Sequence, residues 1–153
     1  MNKLYLKNLR NIFFIAIIIF LIDFLTKFLA LNYLDNAFVI IPNIIKLTLQ
    51  YNSGVAFSIG VPYIMQILIT PILLILLIYF VFENFNTSKW YIPILVGIIL
   101  GGAVGNFVDR IRYGYVIDFI SVLRFPVFNV ADIAITVSIF IFALIYVKIT
   151  RKN

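Results

Sequence analysis

The sequence predicts an all-α membrane protein: four spanning helices, with a small β element between the first and the second. Three observations carry this. Of the 153 residues, 64% are hydrophobic and 12% charged, and the mean hydropathy is +1.13, far more apolar than an ordinary soluble domain. The apolar residues gather into four runs, 12–31, 62–82, 91–109 and 130–147, each close to the ~20 residues that a helix needs to cross a bilayer. Between the first two runs the periodicity switches from helical to alternating, over about residues 38–59. We read residues 1–153 as a single integral-membrane domain.

The first run follows Lys3, Lys7 and Arg10 and reads as a signal-anchor that stays in place, since Asn32-Tyr33-Leu34-Asp35 offers no small-residue cleavage site. Asp23 and Lys27 interrupt it at i, i+4 spacing, on one helix face. They are either a self-neutralising pair or part of a polar site. Leu47, Leu49 and Tyr51 then alternate with Thr48 and Gln50, a strand pattern, and Asn52-Ser53-Gly54 signals a turn into a second strand over VAFSIG. Taken alone, Asn52 reads as an ordinary turn residue. The second span has Pro62 near its start and Pro71 within it, where a kink is expected. Trp90 and Tyr91 read as interfacial anchors for the third span, in which Gly97, Gly101 and Gly105 recur every fourth residue as a packing stripe. Asn106 and Asp109 lie three apart near its end, with Arg110 one turn beyond Asn106. A connection with Gly114 and Pro126 carries Asp118 within the apolar stretch Val116 to Val122. Asn129 and Asp132 open the fourth span with the spacing of a helix N-cap and its third residue.

The chain has no cysteine and no histidine, which excludes disulfides, thiolate nucleophiles, zinc fingers and a Ser–His–Asp triad. No metal and no cofactor is called for. A formal charge of +6 raises the question of nucleic acid, but the basic residues sit mainly at chain ends beside apolar runs, where they set topology and meet lipid headgroups. Four spans put both termini on one side. Seven basic residues fall there (Lys3, Lys7, Arg10, Lys89, Lys148, Arg151 and Lys152), against four opposite (Lys46, Arg110, Arg112 and Arg124). The bias favours cytoplasmic termini.

In that topology five of the six acidic residues, Asp23, Asp35, Asp109, Asp118 and Asp132, lie in or beyond the outer half, and only Glu83 does not. Carboxylates at the edge of hydrocarbon are costly unless they serve a site. Two of them close together cannot both ionise easily, so one can hold a proton while the other activates water. Asp118 and Asp132 are the best pair, each in a short apolar neighbourhood beside a chain bend. Asp109, with Asn106 and Arg110, suits a supporting network. Asn52 and Asn129 are candidate donors to a developing oxyanion.

These residues carry a resemblance. Asp23 and Lys27 in the first span, NSGVAF at Asn52 to Phe57, GNFVDR at Gly105 to Arg110, VIDFI at Val116 to Ile120 and FNVAD at Phe128 to Asp132 stand together and in order as they do in the bacterial lipoprotein signal peptidases, or signal peptidase II family. The resemblance implies an aspartic endopeptidase of the bacterial cytoplasmic membrane that removes the signal peptide from prolipoproteins, cutting just before a diacylglyceryl-modified cysteine. By position it puts the catalytic pair on Asp118 and Asp132. It puts substrate-binding or supporting roles on Asp23, Lys27, Asn52, Gly54, Asn106, Asp109, Arg110, Asn129 and Ala131. It also implies an extracytoplasmic β-cradle, which the hairpin at Lys46 to Ile59 fits, and a short surface helix, for which Ile59 to Met65 or the segment after Gly114 is available. The expected partners are lipid-modified prolipoproteins and membrane lipids, with no nucleic acid, and the chain is expected to be a monomer.

Two other classes compete. A small proton-coupled transporter or channel subunit would also use intramembrane acids, but would spread them through the bilayer depth rather than gather them at one face. A structural subunit packing through its glycine stripe leaves the aspartates unexplained.

Overall fold

The computed structural model describes residues 3–54 and 62–150. In chain order these form α1 (Lys3–Tyr33), β1 (Phe38–Ile41), β2 (Ile45–Asn52), α2 (Tyr63–Asn84), α3 (Tyr91–Tyr113), β3 (Val116–Val122) and α4 (Val130–Thr150). All four helices are long and apolar enough to span a bilayer. Leucine, isoleucine and phenylalanine side chains face outward along α1, α2 and α4, as surfaces meeting lipid do.

The middle of the bundle is α3, the most buried of the four spans, which packs against α1, α4 and α2. Its glycines make that possible. A Cβ on Gly101 would lie 2.5 Å from the Ala16 carbonyl oxygen, and one on Gly97 2.8 Å from that of Ile12, so the stripe is where α1 and α3 backbones come together. Gly102 does the same toward α4, against the Ala131 carbonyl. At the opposite end Val81, Phe85, Ile92, Leu95, Val96, Ile99 and Phe142 fill the space between α2, α3 and α4. The first and third helices run further than the apolar runs alone suggest: α1 continues back through Arg10 and Lys7, and α3 continues past Asp109 to Tyr113. Gly114 ends α3 in the left-handed region (φ 81°), its N–H donating to the Arg110 carbonyl. Helix α2 carries Pro71 inside it and follows directly on Pro62.

The β element is a three-stranded antiparallel sheet in the order β1-β2-β3. Strand β2 is where the alternating pattern places it. Its described partners are β1, with Phe38 opposite Leu47, and β3, with Gln50 opposite Asp118 and Asn52 opposite Val116. The strand expected over VAFSIG lies in residues 55–61, outside the described residues, as do the first three residues of Ile59 to Met65, whose remainder leads into and opens α2. The other place considered for a surface helix, the segment after Gly114, is a correction: it is β3. Its residues are buried along nearly their whole length, so it reads as a continuous apolar run and not as an alternating one.

Candidate active site

The polar groups of the site come from α1, β2, α3, β3 and the start of α4, and they meet at one end of the bundle. Helix α1 brings Asp23 and Lys27, both essentially buried. The Lys27 ammonium lies 2.7 Å from Asp23 Oδ2 and 2.8 Å from Asp109 Oδ2 of α3, and it donates to Asn106 Oδ1 at 2.9 Å. The i, i+4 pair is present and is also the root of a larger network. Asp23 Oδ1 accepts the backbone N–H of Ala131 at 2.8 Å, which ties the start of α4 to α1. Asp23 Oδ2 has no aligned hydrogen bond among the described residues and is held by charge. Gly105 leaves room for it, since a Cβ there would collide with that oxygen.

Helix α3 supplies Asn106, Asp109 and Arg110. Asp109 Oδ2 accepts the Ile117 backbone N–H at 3.2 Å, which fastens β3 to the helix beside Asp118. The Asn106 amide is oriented by its own bonds: Oδ1 accepts from Lys27, and Nδ2 donates to Asp132 Oδ1 at 2.8 Å. The Arg110 guanidinium reaches toward α2 and the end of β2. Its Nε donates to Gln66 Oε1 of α2 at 2.7 Å, and its terminal nitrogens reach the carbonyls of Gly54 and Asn106 at 3.3 Å.

Strand β3 and the turn into α4 complete the site. After β3 the chain doubles back so that Phe128 bridges to Ile120, which puts Asn129 next to Asp118. Asn129 caps α4 in the way its spacing predicts: its Oδ1 accepts the Asp132 N–H at 2.9 Å, and Asp132 Oδ2 accepts the Asn129 N–H at 3.2 Å. Capping does not exhaust the residue. Its Nδ2 donates to Asp118 Oδ1 at 2.7 Å, and also meets Asn106 Oδ1 at 3.1 Å and the Ile117 carbonyl at 3.3 Å. From β2, Asn52 reaches diagonally across the ladder and donates through Nδ2 to Asp118 Oδ2 at 2.9 Å, while its Oδ1 accepts the Gly54 N–H.

Asp118 and Asp132 are therefore linked through shared amides. Asp118 is 1% exposed; its carboxyl is raised to about 6, first because burial penalises the charged form, against which the Asn52 and Asn129 donors pull down, while the Asp132 charge pushes further up. Asp132 is half-buried. Burial and the neighbouring Asp132 charge both favour the protonated form of Asp118.

Of the sequence-predicted residues, Asp23, Lys27, Asn52, Gly54, Asn106, Asp109, Arg110, Asp118, Asn129, Ala131 and Asp132 all enter this network. Asp35 does not; it is exposed between α1 and β1. The side-chain nitrogens of both candidate oxyanion donors, Asn52 and Asn129, bond Asp118 in this structure. Sequence reasoning missed Gln66, whose signal was a lone amide in an otherwise apolar span.

A family model described as signal peptidase (SPase) II matches residues 15–148. Among similar proteins, a lipoprotein signal peptidase of Francisella tularensis subsp. novicida is 42% identical, over 84% of this chain and 86% of its own. One of Chlorobaculum tepidum is 35% identical, over 92% and 97%. A bacterial membrane enzyme solved by the in meso method at 2.3 Å superposes with a TM-score of 0.83 at 28% identity, covering 92% of this chain and 89% of its own.

Proposed function

Because the chain belongs to the signal peptidase II family, we propose that its Asp118 and Asp132 are the catalytic pair of a water-activating aspartic endopeptidase. The protein is a membrane-embedded protease that processes prolipoproteins, and nothing in the matches supports a transporter. The observation that supports the catalytic assignment is that Asn129 donates to both carboxyls at one end of the bundle, through its side-chain Nδ2 to Asp118 and through its backbone N–H to Asp132.

The difference in burial divides the roles. Asp118, enclosed and raised to about 6, holds the proton. Asp132, more open at the start of α4, is the base. Asp132 takes a proton from a water that attacks the scissile carbonyl, and Asp118 gives its proton to the carbonyl oxygen or the leaving amine. Lys27 compensates the buried charge of Asp23 and Asp109 and orients Asn106 toward Asp132. Asn52 and the turn at Gly54 border Asp118 on the sheet side, the side on which a substrate backbone can lie along β strands.

The substrate is a precursor whose cysteine carries diacylglycerol, cut on the amino side of that residue. The enzyme sits in the bacterial cytoplasmic membrane as a monomer among its lipids, with both termini inside and the dyad near the outer face. Purified enzyme given matched precursors with and without the diacylglyceryl group tests the substrate class. Cleavage is expected of the modified precursor only, and equal cleavage of the unmodified one would contradict it.

A further inference from the structure

We infer that Gln66 is a positioning residue for the reaction, its side-chain amide latching the Ser53–Gly54 turn to Arg110 and thereby holding Asn52 where it donates to Asp118. The inference rests on the dyad assignment above. Gln66 is 4% exposed in the first turn of α2, in a span otherwise almost wholly apolar, where a primary amide is costly unless it is bonded. Gln66 meets that need by joining two other elements. Its Oε1 accepts Arg110 Nε of α3 at 2.7 Å, and its Nε2 donates to the Ser53 carbonyl at 2.9 Å. Arg110 in turn donates to the Gly54 carbonyl at 3.3 Å, so two consecutive carbonyls of the turn are gripped by one amide–guanidinium unit.

What the grip controls is the orientation of Asn52. The Gly54 N–H donates to Asn52 Oδ1 at 2.9 Å, and only with that oxygen so engaged does Nδ2 face Asp118 Oδ2, at 2.9 Å. Were the turn to shift, Asn52 would lose the bond that fixes its amide, and Asp118 would lose one of its two side-chain donors. A route thus runs from α2 through the turn to the carboxyl, and glutamine suits its head because it donates and accepts from one planar group. Glutamate offers Arg110 an acceptor but has no donor for Ser53.

Kinetics of the full-length protein in lipid nanodiscs on a diacylglyceryl precursor test this, with wild type, Q66A, N52A, Q66A/N52A and D118N compared. Q66A is expected to lower kcat by about tenfold with KM within about twofold, the pattern of a group that acts on the transition state. In the N52A background the same change is expected to lower kcat by less than about twofold, because the residue it acts through is gone. An unchanged kcat in Q66A, or equal losses in both backgrounds, overturns the latch. Should Q66A fail to accumulate, Q66E takes its place in the same cycle, with the same losses expected and the same results overturning the latch. D118N separates the two claims: cleavage by D118N overturns the dyad on which the latch rests, whereas an inert D118N beside an unimpaired Q66A overturns the latch alone.

Discussion

Asp118 accepts two side-chain amide donors, from Asn52 and Asn129, and still its carboxyl is raised to about 6, because burial and the Asp132 charge outweigh what those donors contribute. Both stability and activity then depend on pH through this one group. For stability, the folded state holds the proton more tightly than the unfolded chain. The group is therefore without cost at low pH and destabilises the fold as pH rises from about 4 through about 6. For activity, with Asp118 as the proton holder, kcat is expected to fall as pH rises through its ionisation. Removing the Asn52 donor takes away support for the charged form, so N52A should move that falling limb to higher pH. A pH–rate profile in which N52A leaves the limb in place, or lowers it, would assign the ionisation elsewhere. Asn129 works differently from Asn52. Its backbone and side chain cap α4 and join both carboxyls at once, so the cap of a helix and the bridge of a dyad are one residue.

At the scale of elements, the ionic cluster adds to the close packing of the helices by tying α1, α3 and the start of α4 together. Lys27 stands between Asp23 and Asp109, and Asp23 holds the Ala131 N–H. K27M would leave two buried carboxylates without their counter-charge, at a cost of roughly 3–5 kcal/mol, and should lower the unfolding temperature in nanodiscs while removing activity. A K27M protein as stable as wild type would show that the cluster does not hold the helices. Sequence made these elements unequally legible. The four spans were readable because length and hydropathy suffice in a bilayer, and β2 because one face differs from the other. Strand β3 was not, since burial on both faces erases the alternation that marks a strand. The acids were legible for the converse reason: each is a costly residue in an apolar background. Gln66 carried a signal of its own, a lone amide in an apolar span, but its partnership with Arg110 was hidden because it spans 44 positions and leaves no local pattern.

Taken whole, the molecule is a bundle whose two ends are built differently. One end is an aromatic and aliphatic plug of Val81, Phe85, Ile92 and Phe142; the other gathers Asp23, Lys27, Asn106, Asp109, Asn129 and Asp132 under a three-stranded sheet. Placing the proposed catalytic pair at one end suits a substrate that arrives in the membrane and is cut at its edge. The excess of Lys and Arg on the loops opposite that end predicts that reporters fused at either terminus will read as cytoplasmic; an extracytoplasmic signal from either would reverse the orientation. The central claim is that Asp118 and Asp132 together perform the hydrolysis. Cleavage of a diacylglyceryl-modified precursor by D118N and D132N, each purified and shown to retain the wild-type unfolding profile, tests it most directly. Loss of turnover in both, with the precursor still bound, is the predicted result, and measurable turnover near the wild-type rate in either would contradict it.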